Sequence, residues 1–323
     1  MKIGVRIPCY RRWCRADEVR RIAVAAERLG FDSLWVQDHL VAPLGAPEEI
    51  AVGGTSDFLN PGEPNAERAP MSLFQYYAGD DWWLDPYAVW SFLAGVTERV
   101  TLASDILVIP YRHPIVQAKM IGTIDQLSKG RLLIGTGVGH VEAESKALGL
   151  DYARRGRMHD EYLRVIRTIL ANEEASFQGE FVAFGPLRTL LRPYGAPVPF
   201  YTGGNGPRAI ARAVALGDGW LPNAADPEGL ARGLRLLEAT AREMGRSELP
   251  RIAVSLPNAI RLASPSAVAG RKPLMTAQQA IDVLKAYEAL GVDHVSLGLL
   301  MPNCELYLEQ IEMFAAQVLP AFR

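Results

Sequence analysis

Two rhythms of apolar residues exchange places along the chain. Short β-rich runs, nearly continuous in apolar residues, recur as KIGVRIP, SLWVQD, VTLASDILVI, RLLIGTG, VPFYTGG, GWLPN, RIAVSLP and HVSLGL. Between them apolar residues fall at helical spacing, at about residues 16–30, 86–98, 114–128, 152–170, 207–216, 226–244, 276–290 and 303–319. In the first of these Val19, Ile22, Ala26 and Leu29 share a face, and Gly30 follows as a stop signal. In the last, Leu308, Ile311, Ala315 and Val318 do the same.

Strands that are apolar throughout, rather than alternating, suit a parallel sheet covered by helices on its faces. Eight strand–helix units in sequence predict an α/β fold of the closed (β/α)8 TIM-barrel type, with a doubly wound open sheet as the alternative. GWLPN is the least strand-like of the eight runs. We expect a single barrel domain over residues 1–323. A barrel of this type takes roughly 250 residues, which leaves room for insertions after strands 2, 4 and 7. The first runs from Val41 to about Trp83 and is rich in Pro and Gly; the second, about Ala171 to Pro197, contains the hairpin-like FQGEFVAFG; the third covers about Pro257 to Met275. The first and third leave the C-terminal ends of strands, where barrel active sites are built. Phe74, Tyr76, Tyr77, Trp82 and Trp83 in the first either wall a pocket or pin a long loop to the surface.

Composition narrows the partners. Of 323 residues 49% are hydrophobic and 22% charged, and the formal net charge is -2 with no long block of one sign. A nucleic-acid binder would carry a basic stripe, so a small-molecule substrate is expected instead. Arg6 interrupts the first apolar run, which therefore cannot serve as the apolar core of a signal peptide. No apolar stretch approaches the roughly 20 residues that span a bilayer. Cys9, Cys14 and Cys304 are odd in number and form no C-x-x-C pair, so neither a disulfide nor a metal framework is expected. The chain reads as cytoplasmic.

Candidate chemistry collects at strand ends. LWVQDHL ends strand 2 in Asp38 and His39, which a barrel places at its C-terminal rim. Histidine exchanges protons near neutral pH, although a capping Asp beside a loop His would read the same way. GTGVGHVEAE follows strand 4 and sets His140 beyond three alternating glycines; strands 2 and 4 are alternate barrel strands, so the two imidazoles can converge. This is not a dinucleotide fingerprint. In YTGGNGPRAIARA, Gly203, Gly204 and Gly206 leave amides unobstructed and Pro207 suits a first helical turn. Such a helix start is an anion site, or else a plain chain reversal. Strand 3 carries Ser104 and Asp105 in an otherwise apolar run, which calls for ligand contact or for a bulge with satisfied polar partners. No H-E-x-x-H, G-x-S-x-G or Walker loop is present. The mixed charges of RRGRMHDEYLRVIRTIL read as an amphipathic helix with structural ion pairs.

Three segments together resemble the luciferase-like monooxygenase family, which holds both flavin-dependent monooxygenases and deazaflavin-dependent oxidoreductases. They are ERLGFDSLWVQDHL, TERVTLASDILVIPYRHPIVQAKMIGTIDQLSKGRLLIGTGVGHVEAE and YTGGNGPRAIARAVALGDGWLP. Around strands 3 and 4 the wording is most similar to the subgroup that uses coenzyme F-420, an 8-hydroxy-5-deazaflavin. The resemblance implies a (β/α)8 barrel with the cofactor ring in its mouth and the cofactor phosphate at the GGNG turn. It places Asp38, Ser104, Asp105, Ile106, Thr136, Gly137, Gly203, Gly204, Asn205 and Gly206 at the cofactor. It also implies a non-prolyl cis peptide in strand 3, aligned at Asp105–Ile106, although Asp105 stands where many relatives have a small residue.

His39 matches the position that accepts or donates a proton in several deazaflavin enzymes, while His140 falls where relatives vary between Glu, Trp and His. The resemblance thus implies hydride transfer between coenzyme F-420 and a small organic substrate, with His39 and His140 as the catalytic pair. An FMN-dependent monooxygenase using reduced flavin and oxygen is the first alternative, and a flavin-binding barrel without turnover the second. Relatives are commonly homodimers, and a flavin or deazaflavin reductase is the further partner implied.

Overall fold

The computed structural model describes residues 1–42, 82–222, 226–257, 260–263, 274–299 and 301–323. Phe74, Tyr76 and Tyr77, and most of the first and third insertions, lie outside them. Ten strands are present among the described residues: β1 (Lys2–Arg6), β2 (Ser33–Val36), β3 (Thr101–Val108), β4 (Leu132–Gly137), β5 (Glu174–Gln178), β6 (Ala183–Arg188), β7 (Phe200–Gly203), β8 (Gly219–Leu221), β9 (Arg251–Pro257) and β10 (His294–Gly298). Eight of them close a parallel barrel in the order β1-β10-β9-β8-β7-β4-β3-β2. The weak run GWLPN supplies β8, the shortest of them. The chain is the (β/α)8 barrel that eight apolar runs predict.

The helices that cover it are α1 (Ala16–Leu29), α2 (Pro86–Val96), α3 (Pro114–Ser128), α4 (Glu142–Ala147), α5 (Arg155–Ala171), α6 (Pro207–Leu216), α7 (Pro227–Glu243), α8 (Ala277–Ala289) and α9 (Cys304–Gln317). Their ends follow local chemistry. Gly30 ends α1 at φ 88°, a left-handed conformation that costs glycine little. Asp85, Asp226, Thr276 and Asn303 each cap the helix that follows with a side-chain oxygen. Among the described residues no helix is long and apolar enough to cross a membrane.

Alternation along each strand sorts side chains into two cores. Leu34, Leu102, Leu132, Ile134, Phe200, Trp220 and Val254 pack outward with the helices, in one large cluster that also holds Trp90, Tyr307 and Phe314. Their neighbours Trp35, Ala103, Leu133, Tyr201, Leu221 and Ala253 form a second cluster, joined by Ile106, that contains no helix residue and fills the barrel. By the same alternation Arg6, Ser255 and Ser296 point inward, because Val5, Val254, Leu256, Val295 and Leu297 point out.

The second insertion is the expected hairpin. β5 and β6 pair antiparallel outside the barrel. The buried carboxylate of Glu161 in α5 fixes its turn, accepting the backbone N–H groups of Glu180, Phe181 and Val182 at 2.7, 2.8 and 2.7 Å. It precedes β7, so it belongs to a helix-to-strand connection and not to the loops that leave the strand C-termini.

Candidate active site

His39 leaves the C-terminal end of β2 with its side chain 10% exposed. Its Nδ1 lies 2.9 Å from Oε2 of Glu144, whose side chain is fully buried. Glu144 comes from α4, the short helix after β4, so the glycine-rich turn brings an acid to His39 as well as a second histidine. The carboxylate also accepts the backbone N–H groups of Leu40 at 2.5 Å and Val41 at 3.2 Å, and the Tyr111 hydroxyl at 2.7 Å. Burial alone would raise the Glu144 carboxyl; the hydrogen bonds from His39, Leu40 and Tyr111 outweigh it and hold the group below its ordinary value. An ionised carboxylate only accepts, so Nδ1 of His39 carries a hydrogen toward Glu144 and Nε2 is the ring nitrogen turned away from that bond.

Two rings frame that imidazole. Trp83 meets it edge-on at 4.6 Å between centroids, and His140 meets it at 5.5 Å and 83°. The two histidines named from sequence therefore do converge. Burial, then the neighbouring His39, pushes His140 down to about 4, so it is neutral in the physiological range. Trp83 is itself fixed by its indole N–H, which donates to the Gln37 carbonyl at 3.1 Å, and by contact with the Tyr10 ring at 5.5 Å. Trp82 behaves differently: it is 41% exposed, with the Arg15 guanidinium over its ring.

Asp38, expected at the cofactor, is held by partners within the protein. Arg112 donates to both of its oxygens, at 2.7 and 2.9 Å, and the Val108 N–H donates to one of them at 2.9 Å. Arg112 extends the bridge to Asp85, the cap of α2. The opening acid of the D-H pair thus ties β2 to β3 and α2, and holds the backbone from which His39 projects. Ser104 and Thr136, also expected at the cofactor, have protein partners too. The Ser104 hydroxyl donates to the Gly135 carbonyl at 2.9 Å. Thr136 faces the helices, where its hydroxyl meets Nε2 of His159 at 3.0 Å.

The floor of the mouth is built by β3, β4 and β7. The Asp105–Ile106 peptide is cis, as the resemblance implies, and the β3–β4 register shifts between Ser104 and Leu107. Ile106 lies against two of the glycines: a Cβ at Gly137 would fall 1.7 Å from its Cδ1, and one at Gly203 would fall 3.0 Å from its Cγ2. Only glycine lets this side chain lie flat across the strand ends. Beyond them Gly204 adopts φ +112°, a conformation other residues rarely take, and its carbonyl accepts the Trp220 indole N–H at 2.8 Å. Asn205 completes the turn, and Gly206 begins α6 with no side-chain cap. A flat apolar floor beside a bare helix N-terminus fits a planar ring carrying a phosphate.

Asp105 sits inside the barrel. Its Oδ2 accepts from Nε of Arg6 at 2.6 Å, the Ser296 hydroxyl at 2.6 Å and the Ser255 hydroxyl at 3.2 Å. The odd acid of strand 3 and the odd arginine of strand 1 are therefore one ion pair. Sequence reasoning missed Glu144, Tyr111, Arg112 and Arg6 as members of the site. Arg6 alone carried a signal, as a charge inside an apolar run.

These features coincide with a family match. Residues 66–294 fit the model for the luciferase-like monooxygenases, and the chain belongs to that family. Among its relatives, an uncharacterized protein of Mycobacterium tuberculosis (Rv0953c) is 34% identical over 70% of this chain and 74% of its own. The phthiodiolone/phenolphthiodiolone dimycocerosates ketoreductase of Mycobacterium bovis is 28% identical over 86% of this chain and 66% of its own. The 5,10-methylenetetrahydromethanopterin reductase of Methanolobus tindarius is 25% identical over 71% of this chain and 57% of its own. Solved structures share the fold over its whole length: the monooxygenase RslO1 of Streptomyces bottropensis (TM-score 0.76, 20% identity, 100% of both chains) and a coenzyme F-420-dependent secondary alcohol dehydrogenase (TM-score 0.75, 19% identity, 100% of this chain and 99% of the other).

Proposed function

We propose that this protein is an oxidoreductase that moves a hydride between coenzyme F-420 and a small organic substrate, with His39 carrying the accompanying proton. The observation that carries this reading is the Glu144–His39 pair, in which Nδ1 of His39 is bound to the carboxylate and Nε2 of the same ring has no hydrogen-bond partner among the described residues. When bound, the deazaflavin ring supplies the carbon that takes or gives the hydride. The protein's own work is with the proton. In the oxidative direction, Nε2 of His39 takes the proton of a substrate hydroxyl while the C–H bond of the same carbon gives up its hydride, leaving a carbonyl. In the reductive direction, protonated His39 returns that proton to the developing alkoxide. Proton transfer of this kind contributes about 10²–10⁴ in rate. Neutral His140 holds the substrate oxygen by an N–H hydrogen bond and is not the acid. Ile106 with Gly137 and Gly203 would support the ring, and Gly204, Asn205 and Gly206 would meet its phosphate.

A ketoreductase among the relatives and an alcohol dehydrogenase among the structural neighbours agree with alcohol–carbonyl chemistry. The second reading, an FMN-dependent monooxygenase using reduced flavin and oxygen, is favoured by RslO1 and by a diketocamphane monooxygenase in complex with FMN (TM-score 0.73). The proposal includes a homodimer. Phe92 in α2 and Val116 and Leu127 in α3 are exposed, and a groove of about 360 Å³ between the same two helices is lined by Tyr87, Ala88, Met120 and Ile124 among others. It also includes a cytoplasmic setting, consistent with three free, buried cysteines.

Titration with coenzyme F-420 and with FMN, followed by fluorescence quenching, tests the cofactor. Tight binding of coenzyme F-420 with FMN weaker by at least about tenfold is expected. The reverse order would transfer the site to the monooxygenase reading, and binding of neither would overturn both.

A further inference from the structure

The inner end of the barrel has two unlike halves. On the side of β4, β7 and β8 it is apolar, with Leu133, Tyr201 and Leu221 beneath Ile106. On the side of β1, β3, β9 and β10 it is polar, with Arg6, Asp105, Ser255 and Ser296 hydrogen-bonded to one another. A buried ion pair is costly unless its remaining donors and acceptors are met, and these are not. Arg6 is 5% exposed and binds through Nε to Asp105 and through Nη2 to Ser255, while Nη1 donates no hydrogen bond among the described residues. Oδ1 of Asp105 is buried and has no partner either. Buried polar groups in folded proteins are nearly always paired, so the unpaired Oδ1 of Asp105 asks for a donor, and Nη1 of Arg6 on the same ion pair is open to an acceptor beside it.

The cluster adjoins the proton-handling residues. Gln37 donates its side-chain amide to the Asp105 carbonyl at 3.4 Å, and its own carbonyl holds Trp83 against His39. We propose that this polar half recognises the imide edge of a planar ring, a carbonyl oxygen on Nη1 of Arg6 and the adjacent N–H on Oδ1 of Asp105. Flavins and 5-deazaflavins both present such an edge, with N3–H between two carbonyls, so the inference rests on the cofactor reading above but not on the choice between the two cofactors. The apolar half then takes the rest of the ring, and the asymmetry of the floor fixes which way round the ring lies.

The experiment compares ring affinities with and without that N–H. The ligands are 8-hydroxy-5-deazariboflavin and FMN, each beside its N3-methyl derivative. The proteins are the wild type and Arg6→Met/Asp105→Leu, which removes both charges together so that neither is left buried alone. In the wild type, N3-methylation should weaken binding of whichever ring binds by at least about tenfold, because a site built to pair a donor rejects the analogue that lacks it. In the double variant the ratio should fall below about twofold. If the double variant does not fold, the isosteric Asp105→Asn serves in its place, since its neutral amide oxygen is a weaker acceptor than the carboxylate and should shrink the same ratio. Equal affinity for methylated and unmethylated rings in the wild type would overturn the inference while leaving the cofactor reading intact, as would a ratio unchanged in the variants. Failure of every ring to bind would overturn both.

Discussion

Two histidine–carboxylate pairs flank strand β4, and they share nearly everything except an open end. In one, Nδ1 of His39 meets Glu144 at 2.9 Å; in the other, Nδ1 of His159 meets Asp160 at 3.0 Å. Both acids are held below their ordinary value against the opposing effect of burial, by hydrogen bonds that include the one from their histidine. Asp160 is further tied to Arg212 of α6. The difference lies at the far nitrogen. Nε2 of His159 is closed by the Thr136 hydroxyl at 3.0 Å, and the ring is fully buried among helices. Nε2 of His39 has no such partner among the described residues and lies at the barrel mouth between Trp83 and His140. The same pair braces β4 against α5 and α6 in one place and is available for chemistry in the other.

The largest expected effect separates the two directly. His39→Asn should lower kcat by about 10²–10⁴ while leaving the cofactor dissociation constant unchanged, as measured by steady-state turnover and by fluorescence titration of the same preparations. Unchanged turnover would remove His39 from the mechanism. Glu144→Gln should have a smaller effect, on the order of 10–10² in kcat, because a partner that orients an imidazole acts through it. His159→Leu should leave turnover and cofactor affinity near the wild-type values but cost about 1–3 kcal/mol in denaturant unfolding, since the Thr136 hydroxyl and Asp160 lose a buried partner. A variant at His159 that lost turnover without losing stability would break the comparison.

The smallest effect is graded with pH. Burial pushes His140 to about 4 and His294 to about 3, and it lowers His159 as well, from an ordinary value of 6.5. Below about 6.5 the unfolded chain therefore takes up protons that the folded chain refuses, and stability falls as the pH drops toward 4. Glu144 and Asp160, whose values are lowered, lose their contribution at still lower pH, in the same direction. Asp105, which burial raises despite Arg6, works the opposite way. Each histidine contributes a slope of at most about 1.4 kcal/mol per pH unit. Unfolding midpoints measured between pH 7 and 4 should fall, and His294→Asn should flatten the fall.

Most of the architecture was legible because each element is locally consistent. Apolar runs and helical spacing predict every barrel strand, and the predicted helices fall within a few residues of those found. The glycines of GTGVG and GGNG also gave their positions away, since flat floors and bare helix starts need them. What was hidden depends on pairings across long stretches of chain. The partner of Asp38, Arg112, lies 74 residues away and cannot be seen from LWVQDHL. Glu144 was passed over because its helix is only six residues long and shows no amphipathic pattern around a buried acid. Arg6 and Asp105 each looked out of place in an apolar strand, and only the closure of the barrel, which brings together residues 99 apart, makes one the reason for the other.

Nitrogen chemical shifts of histidine-labelled protein test the central claim most directly, because they report which ring nitrogen of His39 carries the hydrogen. Near neutral pH we expect the wild type to show His39 with hydrogen on Nδ1 and a free Nε2. In Glu144→Gln that preference should be lost, while the signals of His159 and His294 stay in place. A His39 that carries its hydrogen on Nε2, or that ignores the loss of the Glu144 charge, would contradict the account.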